Sequence, residues 1–113
     1  MSLMSKLDLV SRWKLLEHSQ FAKLPQGQLE YRADGGMAVR IVGVIDGEEK
    51  VISYSGSFEV QGPEVIPHIT SSPIEALIGT AQRRYFQLRE DLLDLYLGTP
   101  EEYRVKIRWQ RVS

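Results

Sequence analysis

The chain contains no cysteine. That absence removes disulfides, thiolate nucleophiles and thiolate metal ligands together, and with them the small disulfide-stapled secreted folds. Long apolar runs are missing too. None approaches the roughly 20 residues of a membrane-spanning helix, and the opening MSLMSKLDLV lacks the basic and apolar regions of a signal peptide. Neither sign of charge is in excess: 14 Lys and Arg stand against 15 Asp and Glu. These charges are interspersed, leaving no basic stripe of the kind that duplex nucleic acid or an anionic membrane demands. The only two histidines, His18 and His68, are far apart in the chain and lack a ligand cluster for a metal. No Ser-His-Asp order, phosphate-binding loop or dinucleotide glycine motif is present. The expectation is a cytoplasmic protein with no metal, no cofactor, and no nucleic-acid or membrane partner.

What the chain does have is alternation. The stretch VISYSGSFEV puts Ile52, Tyr54, Gly56, Phe58 and Val60 on one face against three serines and Glu59 on the other. EYRVKIRWQR repeats the pattern, with Tyr103, Val105, Ile107 and Trp109 opposed to Arg104, Lys106, Arg108 and Gln110. Such segments read as half-buried antiparallel strands. Leu29 and Tyr31, the turn Ala33-Asp34-Gly35-Gly36, then Met37, Val39 and Ile41 read as a hairpin. Strands are expected near 10–17, 28–33, 36–44, 50–60, 64–70, 79–88, 92–97 and 102–111, after a short helical lead-in over 4–11 carrying Leu7 and Val10. At 113 residues the chain fits one domain. That domain is taken as residues 4–113, with Met1–Leu3 read as a cloning scar ahead of Met4. Eight short, sequentially connected strands define an all-β, antiparallel up-and-down barrel, whose closure removes the edges an open sheet would expose.

The stretch SSPIEALIGTAQRRYFQLREDLLDLYLG, residues 71–98, is the test of that architecture, because it also reads as one long helix. Ser72, Pro73 and Glu75 resemble a helix start, and Ile74, Leu77, Ile78, Ala81, Tyr85, Leu88, Leu92 and Leu95 keep helical spacing. A helix, however, would carry Gly79 in its interior, at about 1 kcal/mol relative to alanine, and would expose Phe86, Leu93 and Leu97. The strand reading places all of them. A tight turn at Glu90-Asp91 pairs Leu88 with Leu93, which sets Gln82, Arg84, Phe86 and Leu88 on the same face as Leu93, Leu95 and Leu97. A one-residue slip would reverse every side chain, so the agreement of phase favours the hairpin.

Several short motifs occur in a recognisable order: Trp13-Lys14-Leu15, Leu29-x-Tyr31, Asp34-Gly35-Gly36-Met37, Tyr54-Ser55-Gly56-Ser57-Phe58-Glu59-Val60, Pro67-His68, Ile78-Gly79-Thr80-x-Gln82-x-Arg84-Tyr85-Phe86-x-Leu88 and Trp109-x-Arg111. From Trp13 to Arg111 this order resembles the bacterial and fungal lipocalin-like domain family, a group of calycin-type barrels. The resemblance implies that Trp13 and Arg111 stack at one barrel end in a structural cation–π pair.

On the expected phase Arg84 points inward while Arg83 faces solvent. A buried guanidinium needs an anion, and the inward faces contain no Asp or Glu. One reading gives Arg84, with Gln82, Tyr31, Tyr54 and Tyr103, the anionic head of a small apolar ligand. The other pairs Arg84 with backbone carbonyls or a loop carboxylate such as Asp46 or Glu75. His68 is a polar wall residue or general base if it faces in. Counting from Val60 across Gly62-Pro63 leaves it outside, unless a bulge at Pro67 resets the alternation. His18 is expected to be solvated. The leading expectation is lipocalin-like binding of a small apolar or amphipathic, anionic molecule inside the barrel, through Tyr31, Tyr54, His68, Gln82, Arg84 and Tyr103, with no enzymatic step assigned. The rivals are an isomerase or cyclase using His68 and a tyrosine, and a barrel filled by Phe58, Phe86, Trp109 and Met37 that acts through its surface as a homodimer.

Overall fold

The computed structural model describes residues 5–21 and 25–112; Met1–Leu3, read above as a scar, lie outside them. The chain forms α1 (Lys6–Leu9), then β1 (Ser11–His18), β2 (Gln26–Tyr31), β3 (Gly36–Ile45), β4 (Glu48–Gln61), β5 (Glu64–Ser71), β6 (Arg84–Arg89), β7 (Leu92–Gly98) and β8 (Tyr103–Arg111), with one 3₁₀ turn at Glu75–Leu77. Each strand pairs antiparallel with the next and β8 returns to β1, closing the expected eight-stranded barrel. The barrel reading of residues 71–98 therefore holds: Leu88 pairs with Leu93 across Glu90-Asp91. The helix-like start survives only as the single turn, where the Ser72 hydroxyl accepts the Ile74 N–H and donates to the Ser53 carbonyl.

The alternation builds the core directly. Trp13, Leu15, Leu29, Met37, Val39, Ile41, Phe58, Val65, Phe86, Leu93, Leu95, Val105 and Trp109 all belong to one buried cluster. At one end α1 caps this cluster. Asp8 accepts the Ser5 N–H at 2.7 Å, starting the helix. Leu9 is fully buried, whereas Leu7 is exposed. The Trp13 indole N–H donates to the Leu9 carbonyl, and the Arg111 guanidinium lies 4.5 Å from the Trp13 ring centre. The contact implied by the resemblance is present in this chain.

Two register shifts displace expected side chains. A bulge at Leu16 inserts a residue between Leu15 and Glu17 against β8, so His18 pairs with inward Ile107 and is buried rather than solvated. Phe21 then packs over Gly43, its ring occupying the space that a side chain there would fill. The second shift, between Leu97 and Gly98, turns Tyr103 outward against Tyr96. The ladders also differ in extent. β3 and β4 pair continuously from Gly36↔Ser57 to Ile45↔Glu48, whereas β5 and β6 pair only at Glu64↔Tyr85 and Val65↔Arg84. The expected strand over 79–88 starts at Arg84; before it, Gly79, Thr80 and Gln82 join β5 through separate backbone hydrogen bonds to Ile69 and Pro67.

Candidate functional site

Arg84 opens β6 in phase with buried Phe86 and opposite fully buried Val65, so its side chain starts on the inner wall. It is half-buried. Among the described residues its guanidinium has one hydrogen bond, to the Arg83 carbonyl at 2.9 Å, and no carboxylate partner. This is the backbone-carbonyl form of the second reading given above; Asp46 and Glu75 are not its partners. Arg83 faces solvent and pairs with Glu64 at 3.2 Å.

Tyr31 and Tyr54 lie within electrostatic reach of Arg84. Tyr31 comes from the end of β2 and is buried, its ring 4.5 Å from that of Phe58. Tyr54 comes from the middle of β4 and packs half-buried against the core. Among the described residues neither hydroxyl has a hydrogen-bond partner. Burial raises both phenol pKa values, Tyr54 adding to the effect on Tyr31 and Arg84 opposing both, so the phenols stay protonated and available as donors at neutral pH. Burial also lowers the Arg84 pKa, with Arg104 pushing in the same direction. The cluster therefore offers donors and positive charge, and it lacks a base.

The other expected site residues lie elsewhere. His68 is outward with a 46% exposed side chain, and its Nε2 is 3.1 Å from Glu59. Pro67 pairs with Phe58 in the undisturbed register, so no bulge resets the alternation there: the count that left His68 outside holds, and its assignment to the inner-wall ligand residues is corrected. Tyr103 is excluded from the interior by the β7–β8 shift. Gln82 is half-buried ahead of β6, and its amide nitrogen already donates to the Thr80 hydroxyl at 2.9 Å. Three of the six expected residues thus converge, and three do not.

Sequence reasoning missed His18, the one imidazole facing the core. Its Nδ1 accepts the Gln20 N–H at 3.2 Å, and its ring stands edge-on to Phe21 at 4.6 Å. Burial depresses its pKa from 6.5 to about 4, so it is neutral at physiological pH. Asp94 was missed as well. It faces outward yet is buried, clasped by Arg108 through two bonds of 2.8 and 3.0 Å and approached by Arg89 at 3.9 Å, a structural cluster of the outer face.

Two hollows lie outside the barrel wall. One of about 1000 Å³ crosses β1–β3 and includes Lys14, Gln26, Gln28 and Arg40. The other, about 460 Å³, includes Lys6, Arg32, Ser57, Glu59 and His68. The charges of the second are largely spent on one another, in the Arg32–Asp34 and His68–Glu59 pairs. Among the described residues no group of His, Asp and Glu could hold a metal, and no helix is long and apolar enough to cross a membrane. The fold and the cluster define a closed antiparallel barrel with an unpaired cation and two phenols on its inner wall. No family model matches the chain, and no curated protein does.

Proposed function

We propose that the barrel binds a small amphipathic anion, its head at Arg84 and its apolar part along the inner wall, in the manner that the lipocalin-like resemblance implies. The observation that carries this reading is the half-buried Arg84 guanidinium, which among the described residues has a backbone carbonyl and two unpartnered phenols near it but no carboxylate. A charge removed from water without a counter-ion is costly, and a ligand anion supplies one. Ile45, Ile52, Tyr54 and Leu97 border the core with partial exposure and offer an apolar wall for the remainder. Trp13, Met37, Phe58, Phe86 and Trp109 are 5% exposed or less, so the ligand is short. The isomerase reading loses its base, because His68 lies outside and His18 has its Nδ1 engaged.

The test is calorimetric titration with decanoate. Binding is expected to weaken tenfold or more in Arg84→Met, with the variant's circular dichroism unchanged. Equal affinity for wild type and variant, or no binding to either, refutes the proposal.

A further inference from the structure

Arg84 is not the only cation of this region without a counter-charge. The β6–β7 ladder ends at Tyr85↔Tyr96, which brings Arg84 alongside Leu97, and Leu97 pairs with Val105 of β8. The backbones of Arg84 and Val105 are therefore two inter-strand spacings apart, about 10 Å. Arg104 precedes Val105 at the β7–β8 register shift and is exposed. Two long arginine side chains spring from neighbouring positions, and among the described residues neither has a carboxylate partner. Their mutual repulsion is felt at Arg84.

Five other arginines, Arg32, Arg83, Arg89, Arg108 and Arg111, each have an Asp or Glu within 4 Å, while exposed Arg40, like Arg104, has none among the described residues. Two arginines within electrostatic reach of each other and left without such partners call for more than one negative charge. A carboxylate brings one charge and two acceptor oxygens. A phosphate monoester brings up to two charges and three oxygens, matched to two guanidinium groups that bind phosphate in a planar fork and to the hydroxyl donors of Tyr31 and Tyr54.

Resting on the proposed anion site, we infer that the preferred head group is a dianionic phosphate monoester, bridged by Arg84 and Arg104, rather than a monoanionic carboxylate or sulfate. The ligand class is a short-chain amphipathic phosphate monoester. Arg84 anchors any anion, whereas Arg104 reads the second charge.

Octyl phosphate and octyl sulfate, titrated below their micellar concentrations, separate charge from shape, since the two differ chiefly in the second ionisation near pH 6. At pH 8 octyl phosphate is expected to bind at least tenfold more tightly than octyl sulfate, and at pH 5 the two should bind alike. Arg104→Ala, a change at an exposed residue, should weaken octyl phosphate far more than octyl sulfate and so erase the difference at pH 8. Arg84→Met should weaken both. Equal affinity for the two at pH 8, or a phosphate preference that persists in Arg104→Ala, overturns the dianion inference and leaves the anion site standing. Failure of both ligands to bind overturns both.

Discussion

The α1 end of the barrel and the stretch of wall around Arg84 solve the same problem in opposite ways. Each sets an arginine against an apolar core. At the α1 end, Arg111 stacks on Trp13, donates to the Ser11 hydroxyl and the Asp8 carbonyl, and pairs with Asp91 at 3.3 Å. Its charge and donors are consumed by the fold. Around Arg84 the fold supplies one carbonyl, and the nearby phenols are neutral and bring no negative charge. The first arrangement is what structural arginines need; the second leaves chemistry unspent, and this difference, more than burial alone, marks the candidate site.

The comparison breaks most visibly if the two arginines are removed in turn. Arg111→Ala should cost about 2–4 kcal/mol in urea unfolding, from lost stacking and from the Asp8 and Ser11 groups left without their donor. A loss below about 1 kcal/mol would mean that the α1 end does not depend on that charge. His18 sharpens the contrast from a third position, an interior polar group kept neutral. Its folded pKa of about 4 lies below its ordinary 6.5, so the unfolded chain binds the proton first. Stability should be intact above pH 6.5 and fall as the pH drops toward 4, by roughly 2–3 kcal/mol between pH 7.5 and 4.5. His18→Leu should lose correspondingly less over that range; equal losses would assign the acid sensitivity to other groups. The smallest effect is expected at Arg84. Replacing an uncompensated cation by an apolar side chain of similar length, Arg84→Met, should be neutral or stabilising by about 1 kcal/mol. If Arg84→Met destabilises the fold as Arg111→Ala does, the two regions are alike and the site argument fails.

Much of this was legible in the sequence wherever alternation ran unbroken. β4, β6, β7 and β8 declared their inward faces, and pairing of Leu88 with Leu93 followed from phase alone. Arg84, Tyr31 and Tyr54 were found by the same count. The failures fall where the count is interrupted. The bulge at Leu16 carries no glycine or proline to announce it, so His18 was assigned to solvent. The shift at Gly98 sits at a loop end, where it reverses Tyr103 but not Val105. Gln82 was expected within a strand, yet residues 79–83 bond to β5 irregularly, helped by Gly79 at φ 85°. Asp94 was legible as outward; its burial depends on which β8 residue lies opposite, and a single strand's pattern does not contain that register.

The brevity of the β5–β6 pairing has a consequence for how this cylinder comes apart. A ring of strands is held by every ladder around it, and opening needs only the weakest to part. Here that ladder is the two pairs Glu64↔Tyr85 and Val65↔Arg84, supplemented by isolated backbone bonds. Amides of that seam should exchange with solvent ahead of the continuous β3–β4 ladder, through openings smaller than global unfolding. Each opening converts a closed surface into a sheet with two unpaired edges, one of which carries Arg84, so the position proposed to recruit a counter-charge is also where the chain is most exposed to pairing with another copy of itself.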